Sequence, residues 1–395
     1  MKLKINIPKS GMLLSLLLIA YQFISSMLWE YSIISSIVSL LMLVIAAIGF
    51  FLLLYKPQRK RSITIALLLY FLYGIFASCL NGYFSVYAKE PTMLATSAFW
   101  IFLFWIFEQA GRAKLISAET FSKIFFVLTV ICFILFCRYY SINQNQYAML
   151  SGLNVVYYLV FMFSIVLMGK NRLLSSIAIV INILAVLLSA KRTAFIVVIL
   201  TTVVWVLTDL RGQSTRKQFI KTLLYIFLGV VATIIIFTVV EKLNLNILDR
   251  IESFIAGDDS DASGRTTIWK SYWNYIQQDS FLHNLIGRGY NATKRNPELL
   301  SLGMNWAHND FLQVLFDYGI IGFLLFSNII LKLFSVARTM RKMQYCYQRH
   351  FLISLIVFVF CGFFSMVVLF PQWFLAMAAF WGFVIGDFEQ ERASL

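Results

Sequence analysis

A chain of 395 residues that is 60% hydrophobic and only 13% charged does not fit a soluble domain, in which roughly 25% of residues are charged. Its net charge of +15 does not point to nucleic acid either, because the basic residues gather in short loops between long apolar runs. What remains is an all-α polytopic membrane protein, with bilayer thickness setting each span at roughly 20 residues.

The chain opens on Met1-Lys2-Leu3-Lys4 and enters an apolar run at 11–29. No small-x-small cleavage site follows, so this run reads as an uncleaved first helix. Further runs fall at 32–55, 63–81, 93–109, 121–137, 147–168, 173–190, 193–208 and 219–240. A polar segment over 241–308 follows, then runs at 309–333, 350–369 and 372–386. That predicts about twelve transmembrane helices, nine of them in residues 1–240 and three in 309–395, separated by one large loop between helices nine and ten. Proline is scarce at five residues, so few kinks are expected.

Charge sets the orientation. With the N-terminus inside, the inner segments hold 22 Lys and Arg and the short outer loops hold 4. The bias puts 241–308 on the extracytoplasmic face. Within it, Ser263 is a weak cap, and Ile268, Trp269, Tyr272, Trp273 and Ile276 recur at helical spacing. An amphipathic helix is expected at about 264–278, lying on the membrane or over a cavity. A turn at Gly287-Arg288-Gly289 comes next. None of the five cysteines falls in the loop, which argues against a disulfide-stapled external domain.

Three constellations can carry chemistry. In Ser189-Ala190-Lys191-Arg192-Thr193, two cations break the charge rule by sitting outside, in a tight hairpin before a helix. A guanidinium there can bind phosphate through paired hydrogen bonds, helped by the free N–H groups of the helix start. The plain alternative is a snorkelling interfacial residue. Arg265 stands at the head of the loop helix, where a cation is disfavoured without an anion nearby; a salt bridge to Asp258, Asp259 or Asp261 is the alternative. His308 ends the loop in His308-Asn309-Asp310. It can act as a base near neutral pH or serve as a helix cap. Together they describe two phosphate clamps and a base on one membrane face.

Other features are weaker. Asp259-Ser260-Asp261 half-matches a calcium loop, but Lys270 occupies the position that needs Glu, so no metal is expected. His283 and Arg288 read as surface or loop-packing residues with a lesser claim on substrate, and His350 as a solvated flank. No P-loop, GxSxG, HExxH or GxGxxG in a βαβ setting occurs, which leaves ATP-driven pumping without support.

The runs Ser189-x-Lys191-Arg192-Thr193-Ala194, Ser263-Gly264-Arg265-x-x-x-Trp269 and His308-Asn309-Asp310-Phe311-Leu312-Gln313-x-Leu315-x-Asp317-x-Gly319-Ile320-Ile321-Gly322 resemble the O-antigen ligase and O-antigen polymerase superfamily. The order of spans around one large loop is similar too. The resemblance implies a GT-C-like architecture in the bacterial inner membrane with a site facing the periplasm. It implies a glycan moved from an undecaprenyl diphosphate-linked oligosaccharide donor to a glycan acceptor, without metal, nucleotide or other cofactor. It makes His308 the base and Arg192 and Arg265 the diphosphate ligands. Lys191, where many members have an uncharged residue, becomes a third diphosphate contact. Arg288, Asn309, Asp310 and Trp269 become candidate substrate contacts. Membrane lipid and a chain-length regulator are the implied partners. Polymerase is the expected activity and ligase the alternative. A lipid-linked sugar transporter is disfavoured because the helix centres are nearly free of charge, and a pure scaffold would not need Arg192.

Overall fold

A computed structural model describes residues 7–28, 62–81, 91–142, 156–189, 191–210, 265–301, 303, 306–365 and 371–394. Every regular element among them is helical. In chain order they are α1 (Ile7–Leu28), α2 (Ser62–Leu80), α3 (Pro91–Arg112), α4 (Ala118–Ile142), α5 (Val156–Leu167), α6 (Arg172–Ser189) and α7 (Arg192–Leu210). The loop contributes α8 (Arg265–Gln278), α9 (Phe281–Ile286), a 3₁₀ turn (Ala292–Arg295) and α10 (Pro297–Ser301). The chain finishes with α11 (Asp310–Lys342), α12 (Gln348–Phe364) and α13 (Pro371–Ser394). Proline opens α3, α10 and α13, where its missing N–H costs nothing.

Among the described residues, four helices are long and apolar enough to cross a membrane: Ser62–Leu80, Ala118–Arg138, Arg172–Ser189 and Asp310–Lys342. The protein is a helical membrane protein. The runs expected at 32–55 and 219–240 lie outside the described residues, as do 241–264 with the half-matched calcium loop.

Helix α5 is buried on every side, each residue from Val156 to Leu167 included. A helix that is apolar all round belongs at the centre, and α4, α6, α7, α12 and α13 pack against it. Lipid supplies no hydrophobic drive between helices, so close backbone approach does the work. The pair α3 and α13 illustrates it. A Cβ at Gly382 would collide with the Phe104 carbonyl, and one at Gly386 with the Glu108 carbonyl. The contact advances four residues on both helices, so they run parallel. Gly382→Val and Gly386→Val should each strip the yield of monodisperse protein in detergent, read by fluorescence-detected size exclusion. Gly11→Ala, with nothing near its Cβ, should leave that yield unchanged.

Other contacts set the remaining directions. Gly74 meets Tyr318 and Tyr70 meets Phe326, so α2 and α11 are antiparallel. Phe23 near the end of α1 packs on Tyr158 at the start of α5, with ring centroids 4.3 Å apart. Trp373 at the start of α13 stacks on Tyr157 at 5.5 Å. One face of the bundle therefore gathers the ends of α1, α2 and α12 and the starts of α5, α7, α11 and α13. The opposite face holds ion pairs and polar contacts: Arg112 with Glu108 at 3.1 Å and Glu389 at 3.2 Å, and the Tyr345 hydroxyl on Asp387 at 2.7 Å.

The loop binds back onto the first of these faces. Tyr73 donates to the Ile286 carbonyl, Asn81 to the Gly287 carbonyl, and Ser78 accepts from the Tyr290 N–H. Helix α11 is not the straight span its apolar run predicts, since Gly319 breaks it with φ 63° and ψ −168°. Gly319 and Gly287, both at positive φ, let the two backbones touch; a Cβ on either would overlap the other segment. At the kink the Asp317 carbonyl accepts from the N–H groups of Arg288 and Gly289, both at 2.8 Å.

Candidate functional site

The helix expected at about 264–278 is present as α8. It packs into a small core of its own, with Tyr272, Ala292, Leu299, Ala307 and Phe316 buried and Ile268, Ile276 and Leu312 alongside. Trp273 departs from the expected apolar stripe and is 50% exposed. One residue past Tyr272 it sits about 100° round the helix, off the buried face.

The starts of α5 and α7 and the end of α12 converge on Tyr157. Its hydroxyl interacts with the side chains of Ser365 and Thr193 and lies within electrostatic reach of Arg265. Lys191 immediately precedes α7, its N–H held by Ser189 Oγ at 3.3 Å. Arg192 is the first residue of α7; its side chain lies outside what the structure describes. Arg265 is the first residue of α8.

His308 is exposed, at φ 49°. Partial withdrawal of its ring from water, then the positive charges of Arg265 and Lys191, push its pKa below the ordinary histidine value. The lowering by the two cations places three expected site residues in one electrostatic neighbourhood. The capping alternative for His308 falls away, because Asn309 caps α11: its Oδ1 accepts from the Leu312 N–H at 3.0 Å.

The residues expected to touch substrate are otherwise engaged. Arg288 is buried, with Nε on Asp279 Oδ2 at 2.7 Å and its two amino groups on the Phe316 carbonyl and Asn284 Oδ1. Its cation also sits 4.5 Å above the Phe316 ring. That buried guanidinium staples the loop to α11, with each of its three nitrogens already donating within the protein. Burial opposes ionisation of Asp279, but His283, Ser280 and Arg288 outweigh it and hold the carboxyl below its usual range. Asn309 is occupied as the cap. Asp310 is buried and turned towards Gly362 on α12. Trp269 gives its indole N–H to the Ala307 carbonyl at 2.9 Å and stands edge-on to Phe363.

Sequence reasoning assigned no role to Tyr157, Gln313 or Asp317. Asp317 is fully buried and accepts from the N–H groups of Asn291 and Ala292 and from Gln313 Nε2. The signal was available: Asn309, Gln313 and Asp317 recur every four residues in a run that is apolar apart from Asp310, a polar stripe that must find partners in the interior. Tyr157 gave no such signal, being one aromatic in an aromatic-rich run. Among the described residues no three His, Cys, Asp or Glu come together as a metal site.

Residues 177–327 match a protein-family model described as O-antigen ligase. The match supports the O-antigen polymerase and ligase superfamily. It begins within α6 and ends within α11, so it takes in Lys191, Arg192, Arg265, Trp269 and His308. No curated protein matches the chain. Of the convergent face, the match covers the starts of α7 and α11 and the whole of α8, while Tyr157 and Ser365 lie outside it.

Proposed function

We propose that this is a membrane glycosyltransferase that polymerises undecaprenyl diphosphate-linked oligosaccharide units into a surface polysaccharide. The observation that carries it is His308, kept towards its neutral form by partial withdrawal of its ring from water and then by the charges of Arg265 and Lys191. A neutral imidazole can take the proton of an acceptor hydroxyl as the oxygen attacks the anomeric carbon. The bond to the lipid diphosphate breaks, and the diphosphate leaves with the electron pair. Arg192, Arg265 and Lys191 stabilise that charge, as fixed donors do where charge develops. No metal or nucleotide is needed, because diphosphate is already a good leaving group.

The alternation of helix directions supports twelve spans in a GT-C-like arrangement. Spans four and twelve, α3 and α13, are separated by an even number of crossings and lie parallel. The excess of Lys and Arg opposite the His308 face supports a periplasmic site in a bacterial inner membrane. Reporter fusions at Ser280 should be active only in the external compartment; the reverse would overturn the site's orientation. A chain-length regulator fits polymerisation as a partner.

A second reading is ligation of the finished glycan to lipid A core, favoured by the match to the O-antigen ligase family model. Purified protein in EDTA with lipid-linked repeat units as sole substrate separates the two. Product ladders support the polymerase. No product until core acceptor is added establishes the ligase, and strict dependence on a divalent ion overturns the mechanism.

A further inference from the structure

We infer that Trp269 and Gln313 are positioning residues that set His308 by clamping the peptide in front of it. This rests on the reading of His308 as the base. Ala307 is fully buried, and side chains hold both of its backbone polar groups. Its N–H donates to Gln313 Oε1 at 2.9 Å, and its carbonyl accepts from Trp269 Nε1 at 2.9 Å. The clamp therefore has one jaw on α11 and one on α8.

Neither jaw is free to turn. Gln313 Nε2 donates to Asp317 Oδ1 and Thr293 Oγ1, both at 3.1 Å, which leaves only the amide oxygen for Ala307. Asp317 is pinned in turn by the Asn291 and Ala292 N–H groups at 3.0 Å. Thr293 Oγ1 also meets the Tyr272 hydroxyl at 2.6 Å, which returns the network to α8. On the other side, the Trp269 ring is fixed edge-on to Phe363 of α12 at 5.8 Å.

The clamp has a mechanical consequence. Trp269 lies one turn after Arg265 on the same helix, so the start of α8 is tied to the residue before His308. An anion that pulls on Arg265 also loads the Ala307 peptide. His308 needs such support, because a left-handed backbone at a residue other than glycine persists only where its surroundings impose it. Trp269 thus acts through the backbone, with its side-chain N–H already used, in place of the substrate contact that the family resemblance implies.

The test is donor-titrated transfer by the purified full chain carrying Trp269→Phe, Gln313→Leu or His308→Asn, and His308→Asn combined with Trp269→Phe. Trp269→Phe keeps a ring against Phe363 and removes only the N–H. It should lower kcat about 10- to 100-fold, the cost of a small misplacement of a reacting group. Donor KM and the thermal midpoint should stay at wild-type values. Added to His308→Asn, it should leave the residual rate unchanged, since it acts only through His308. Gln313→Leu should repeat the fall in kcat; if that variant does not accumulate, Trp269→Phe decides alone. Wild-type kcat in Trp269→Phe overturns the clamp, as does a loss confined to KM or a further loss on top of His308→Asn. An active His308→Asn enzyme sinks the base reading instead, whatever Trp269→Phe does.

Discussion

His308→Asn should abolish glycan transfer at matched protein levels while membrane insertion and donor binding persist. Removal of a general base typically costs about 10²- to 10⁴-fold. Asparagine is the right replacement here for two structural reasons. Residue 308 sits at φ 49°, and Asn enters the left-handed region more readily than Ala, so the backbone is not put at risk. The cap of α11 belongs to Asn309, so no capping bond is lost or gained. His308→Ala removes the base and strains the turn together, and its inactivity alone would be ambiguous. Activity retained in His308→Asn refutes the catalytic role. The pH profile is a second check. A base must be neutral, so the rate falls as pH drops through the pKa of His308. Since its surroundings lower that pKa, the acid limb should lie below the ordinary histidine value of about 6.5.

His308, Arg265 and Lys191 stand out in the sequence because each is a cation or an imidazole at the start of a helix-forming run. Their placement needs little beyond span order, since alternation of short connections brings such ends to one face. Helix α8 was legible from its 3.6-residue stripe and the Arg265 start. Arg288 reads as a loop-packing residue and is one, but its partners, like that of Trp269, were not readable. Arg288 meets Asp279 across nine residues and Phe316 across 28, and Trp269 meets Ala307 across 38. No local pattern announces which side chain will be consumed by the scaffold. The bend at Gly319 was hidden for a related reason. An isolated glycine in an apolar run reads as a tolerated helix residue. Only the approach of Gly287 from the loop shows why the helix breaks there. The contact between α3 and α13 was likewise unreadable, because Gly382 and Gly386 matter only once Phe104 and Glu108 lie beneath them.

Arg265→Lys should lose about 30- to 1,000-fold in rate, or roughly 2–4 kcal/mol of transition-state stabilisation, although the charge is unchanged. The donor's diphosphate offers oxygens in pairs, and a guanidinium meets two of them with a planar fork that an ammonium does not reproduce. The position sharpens the comparison. Arg265 is the first residue of α8, where the helix dipole disfavours a cation and favours an anion. A bound diphosphate satisfies both. Lysine at 265 keeps the positive charge near His308, so the acid limb of the pH profile should stay in place while the maximum rate falls. Arg265→Gln removes the charge as well. The pKa of His308 should then rise, and the acid limb should move to higher pH along with the loss in rate. The two variants separate two jobs of one side chain: Lys tests the fork, and Gln adds the field. Arg192→Lys should lose rate in the same way as Arg265→Lys if both arginines hold the diphosphate. Near-wild-type turnover in both Lys variants would leave only a point charge at this face, and the diphosphate would have to be gripped elsewhere.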